Sequence, residues 1–194
     1  AQLVASLLLN RWGQLDPEAA FASLGNVTAK RGGEDAVAVL AGLASVDPER
    51  AAAWLSDPEN AIANQPFLDW RLAETVAAEW ARRDPDAALA WAAELPEGRS
   101  RGGALAGIIS NIVDTDPARA AEARLQQGRA LSANGNHYDA AQAFRLLLEA
   151  YPDAQVADAA RGHLVIALAR QDDFASSLEV RDAVALDELD PEIR

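Results

Sequence analysis

The chain has 194 residues and a mass of 20.6 kDa, half of them hydrophobic, which is room for one or two domains with a sizeable buried core. Lys and Arg number 17 against 30 Asp and Glu, a formal net charge of −13, so nothing in the charge balance favours a nucleic-acid partner or an anionic lipid surface. With no Cys there is no disulfide, thiolate zinc site or thiol nucleophile, and with two His any metal site would have to be built mostly from carboxylates.

In chain order, the stretch from Ala1 to Leu9 is apolar but has no basic n-region, no cleavage-site pattern and too little length to span a bilayer. It reads as the start of a fragment, with no membrane insertion expected. Asp16-Pro17 then opens a helix: the Asp side chain caps the first turn, and Pro at the start sacrifices no hydrogen bond. The same signal returns at Asp47-Pro48, Asp84-Pro85, Asp116-Pro117 and Asp190-Pro191, with Tyr151-Pro152 in the same series. Breaks fall at Gly32-Gly33, Pro58, Pro66, Pro96-Glu97-Gly98 and Asn134-Gly135-Asn136, and no period-two strand lies between them. The expectation is an all-α chain of helices roughly 8 to 18 residues long.

The prolines at 17, 48, 85, 117 and 152 stand 31, 37, 32 and 35 residues apart. Aligned on them, the residues twelve upstream are Ala5, Ala36, Ala73, Leu105 and Ala140; eight upstream, Leu9, Leu40, Ala77, Ile109 and Phe144; five upstream, Trp12, Leu43, Trp80, Ile112 and Leu147. Offsets of four and three mark one helix face, so these are the expected core positions. The unit is a helical hairpin repeated about five times, after an N-terminal half-repeat.

In the module Ala121 to Tyr151, Gly128, Ala140, Phe144 and Pro152 occupy small, small, aromatic and proline positions; Phe21, Leu24, Gly25, Ala36 and Pro48 repeat the pattern less fully. The chain thereby resembles the tetratricopeptide repeat, whose period is 34 residues, and Ala123 to Leu178 is similar to repeats of bacterial envelope proteins. It departs from that pattern at Arg124, where a large aromatic is expected, at Trp54, which is followed by the break at Asp57-Pro58, and in the short first helices of the early modules. The resemblance implies a right-handed α-solenoid, with Gly128 at a close helix approach. We read residues 1–194 as one domain with an internal seam near 117, since Trp12, Trp54, Trp70, Trp80 and Trp91 all lie upstream of it. The seam is a natural junction of two repeat families, an engineered fusion of two solenoids, or ordinary repeat drift. Methionine is absent and Lys30 is the only lysine, which suits either a GC-rich genome or an engineered sequence.

No catalytic constellation is legible. His137 reads as a loop residue and His163 as a groove or surface residue, too far apart for a metal pair and without the partners of a triad. Gly98-Arg99-Ser100-Arg101-Gly102-Gly103 lacks the preceding strand and the Lys-Ser/Thr ending of a phosphate loop, so it reads as an inter-helix turn. Acidic pairs such as Asp172-Asp173 read as solvated surface, Trp12 and Trp80 as inward packing residues, and Asn26-Val27-Thr28 as a chance match to a glycosylation acceptor. No cofactor and no enzymatic activity is expected.

The resemblance further implies a concave groove lined by the first helix of each hairpin, binding a protein or peptide segment. Its groove-facing positions fall on Glu122, Leu125, Arg129, Ser132 and Ala133, and one repeat later on Val156, Ala159, His163, Ile166 and Ala167. Asn26 takes a groove position in the first module, but Ala22 stands where family members that grip a terminal carboxylate carry a clamp residue, so no such grip is expected. The acidic surround favours a ligand of some basic character. Two other purposes stay open: a designed repeat with a structural role and no natural ligand, and the accessory helical domain of a larger bacterial enzyme. The compartment is unreadable, either cytoplasm or periplasm if the source is bacterial.

Overall fold

The computed structural model describes residues 2–24, 32–57, 60, 68–171 and 173–182, and among them there are eleven helices and no strand. They are α1 (Gln2–Leu15), α2 (Pro17–Ser23), α3 (Gly32–Val46), α4 (Pro48–Leu55), α5 (Asp69–Ala81), α6 (Pro85–Glu94), α7 (Arg99–Ile112), α8 (Pro117–Ala133), α9 (His137–Ala150), α10 (Ala157–Ala169) and α11 (Phe174–Asp182). None of the described helices is long and apolar enough to cross a membrane.

The Asp-Pro pairs act as the sequence predicts. Asp16, Asp47, Asp84 and Asp116 each accept a hydrogen bond from the backbone N–H three residues on, at 2.9 to 3.1 Å, with Pro opening α2, α4, α6 and α8. These carboxylates satisfy donors that a helix N-terminus otherwise leaves unpaired. Asp173, expected at a solvated surface, likewise accepts from Ser176 N at 3.3 Å ahead of α11. Asp190-Pro191 lies outside the described residues. Tyr151-Pro152 differs from the Asp-Pro pairs: Tyr151 closes α9 by donating its N–H to Leu147 O, and α10 starts only at Ala157.

The upstream positions aligned on the prolines form the core in α3, α7 and α9, where Ala36, Leu40, Leu43, Leu105, Ile109, Ile112, Ala140, Phe144 and Leu147 are all buried. In α5, Ala73 and Ala77 are buried, and Trp80 is half-buried beside Trp91 with ring centroids 6.0 Å apart. Helix α1 breaks the rule. Ala5 is exposed, Leu9 only half-buried and Trp12 40% exposed, so Trp12 is not the inward residue its register implies. The side of α1 that packs on α3 is small and polar instead. Gly13 and Gly42 let the backbones approach so closely that a Cβ on either would strike a carbonyl of the other helix, and Gln14 Nε2 donates to Ser45 Oγ at 3.2 Å.

Long helices α1, α3, α5 and α7 pack each on the next, while the shorter α2, α4 and α6 each touch the long helix before and after them. From α8 onward the scheme changes: α8 packs on α7 and α9, α10 on α9 and α11, and α10 also reaches α8. The change follows from length, since the first three Asp-Pro pairs open helices of 7, 8 and 10 residues and the fourth opens one of 17. Apolar packing is continuous across residue 117, because Ala120 and Ala123 of α8 share a buried cluster with Ala88, Leu105 and Ile109. Gly128 sits against Phe144, where an added Cβ would fall onto the ring.

Candidate functional site

Helix α8 presents Glu122, Leu125, Arg129 and Ser132 on one face, because offsets of three and four residues stack along a helix. Opposite its N-terminal half stand α6 and the start of α7, held there by Arg101. The Arg101 guanidinium donates to Leu95 O at 2.8 Å and to Ala93 O at 3.0 Å, closing the C-terminus of α6, and reaches Glu97 at 3.5 Å. Between these elements lies a cleft of about 580 Å³ with an apolar floor of Leu89, Leu105, Leu125 and Val156. Its charged walls are Arg101, Arg119 and Glu122. Arg119 of α8 pairs across the cleft with Asp86 of α6, and Arg101 pairs with Glu97, so both arginines already have carboxylate partners and exposed Glu122 leaves the cleft with a net acidic edge.

Three of the groove residues expected from sequence, Glu122, Leu125 and Val156, thus meet in one cleft. The others do not line it. Ser132 sits farther along α8, its hydroxyl 3.5 Å from Nδ1 of His137, and Arg129 is half-buried one turn before it. His163 stacks on the core ring of Phe144, centroids 5.6 Å apart and planes 15° apart, which makes it a packing residue as much as a surface one. Ile166 is half-buried on α10, and Asn26 lies outside the described residues.

The upstream half of the cleft was not legible as a binding surface. Leu105 was in the inward register, but nothing in its spacing says that one edge of it meets open space. The Gly98–Gly103 run is also corrected: it is not an inter-helix turn, since Gly98 alone takes a positive φ of 134° and the residues after it form the first turns of α7. Gly102 and Gly103 stand in this helix because the packing needs them small, a Cβ on either meeting Leu131 or the Trp70 backbone.

His137 begins α9 and is half-buried, not a loop residue. Among the described residues no three or more His, Asp or Glu side chains gather in an arrangement that could hold a metal ion. Comparison of the chain with protein-family models, with curated proteins and with solved structures finds no match in any of the three.

Proposed function

We propose that this chain is a non-enzymatic, tetratricopeptide-like repeat scaffold that binds a protein or peptide segment along the groove-facing side of α8. The carrying observation is the apolar-floored cleft that unites Glu122, Leu125 and Val156 with α6 and α7. A volume of about 580 Å³ lies within the ~300–1,000 Å³ range of pockets that bury a compact group, enough for one or two anchoring side chains. On this reading α1 is a half-repeat, and the pairs α2–α3, α4–α5, α6–α7, α8–α9 and α10–α11 are five hairpins of a right-handed α-solenoid whose first helices line the groove. The alternation of short and long helices through α7, and the packing of α8 on α9 and of α10 on α11, support it. The favoured ligand is an extended or helical segment with an apolar anchor for Leu105 and Leu125 and a basic residue for Glu122.

Panning a peptide library on the whole chain, followed by calorimetric titration, tests this. Enriched peptides should carry an apolar residue near Lys or Arg, Glu122→Arg should weaken them at least tenfold, and added salt should weaken them further. Peptides that bind Glu122→Arg and Leu125→Ala as tightly as the parent place the site elsewhere, and failure to enrich any peptide refutes the binding role.

A further inference from the structure

A second cleft, of about 320 Å³, opens at the junction of α5, α7, α8 and α9. Trp70 and Glu74 of α5, Arg99 of α7, Arg124, Gln127 and Leu131 of α8, and Asp139 and Leu146 of α9 line it. Two of the four buried side-chain atoms left without a hydrogen bond among the described residues, Arg124 Nε and Gln127 Oε1, belong to residues that line this cleft and lie beneath its surface. Gln127 spends its amide N–H on Gly102 O at 3.1 Å, so its oxygen is the group left over. Arg124 is half-buried and has neither a hydrogen bond nor an ion pair among the described residues.

A guanidinium taken partly out of water without a carboxylate is costly, and at ordinary pH it stays charged. Burial pulls the Arg124 guanidinium below its ordinary value, an effect opposed only by the Tyr151 phenol. Neither carboxylate that lines the cleft forms an ion pair with it. Asp139 is paired with Arg99 at 3.9 Å at the half-exposed rim, and Glu74 lines the cleft without an ion pair to Arg124. Arg124 also replaces the large aromatic that the repeat pattern expects at this position, so the packing role of that position has been exchanged for a charge that no described residue pairs.

We propose that this cleft binds a monocarboxylate with a small apolar body, the carboxylate taken by Arg124 and the apolar part lodged beside Trp70 and Leu131. A dianion such as phosphate is disfavoured, because Glu74 and Asp139 line the same walls and only one guanidinium lacks a counter-ion. The volume suits a group the size of one amino acid, at the lower end of small-molecule sites, which span ~300–1,000 Å³. The carboxylate can come from a free small acid or from an acidic side chain of a peptide. The site is separate from the α6–α8 cleft, and neither reading depends on the other.

Ligand-observed NMR and calorimetry on the whole chain test it with N-acetylphenylalanine, its carboxamide, and a peptide blocked at both ends with one internal Asp between two Phe. The acid should bind at least tenfold more tightly than the carboxamide, which the parent protein reports without any variant. Arg124→Met should abolish that discrimination, and Arg124→Lys should keep part of it. Tighter binding of the acid than of the blocked peptide assigns a free-acid ligand, and the reverse assigns a peptide side chain. Equal binding of acid and carboxamide, no binding of either up to about 10 mM, or full discrimination retained in a folded Arg124→Met overturns the proposal.

Discussion

Phe144 shows what a single residue contributes here. Its ring is fully buried, faces Gly128 across the α8–α9 contact and carries His163 stacked on its other side. Removing it leaves a cavity between three helices, so Phe144→Ala should cost about 3–5 kcal/mol in denaturant unfolding, and an unchanged midpoint would mean the register is wrong. The position was legible because proline spacing fixed the register and only one large side chain fits opposite a glycine. Glu74 was not legible in this way, since its environment is made by α5 and α7 meeting far apart in sequence. Burial raises its carboxyl above the ordinary value, with Arg71 pulling the other way. The protonated form is therefore favoured by folding, and its stabilising contribution is complete below the ordinary carboxylate range and lost as pH rises through the raised value. Glu74→Gln keeps the neutral form at every pH. The variant should melt slightly above the parent at pH 7 and together with it near pH 4, and a variant that melts lower at pH 7 would show that the carboxylate is favourably held.

Among the elements, the Asp-Pro openers were fully legible because cap chemistry is local: a carboxylate, a proline and three backbone donors lie within four residues. Which face each helix buries was legible in α3, α7 and α9 and misleading in α1. Periodicity reports that a helix has an apolar face but not that a neighbour covers it. Helix α1 packs on α3 through Asn10, Gly13 and Gln14, while Leu3, Val4, Leu7, Leu8 and Leu15 are 58 to 74% exposed. Equivalent truncations should therefore have unequal effects. Leu7→Ala and Leu8→Ala should stay within about 0.5 kcal/mol of the parent, whereas Leu40→Ala, at a fully buried position in α3, should cost about 2–5 kcal/mol. Substantial destabilisation by the α1 variants, followed by thermal melts at fixed protein concentration, would mean that this face is covered in solution.

At the scale of the whole molecule, the principal contacts join helices that are adjacent or next but one along the chain. Three apolar clusters divide the core in sequence order: one spans α3 to α5, a second α5 to α8, and a third α8 to α10. Each cluster shares a helix with the next, and Leu55, Trp80 and Trp91 pack against both of the first two; on the proposed repeat reading, stability then passes from neighbour to neighbour. Global shape is the part that sequence fixed least, because small rotations between successive pairs decide it and no residue pattern encodes them directly. If the pairs stack as the solenoid reading holds, small-angle scattering should give a radius of gyration above the roughly 16 Å of a globular chain of this length. The same architecture predicts how damage spreads. Leu40→Ala weakens the first cluster only, so hydrogen exchange should accelerate in α3 and α4 while amides of α9 and α10 keep near-parental protection. Uniform loss of protection from α3 to α10 would instead show a single cooperative core, and would count against a nearest-neighbour stack even if the radius were large.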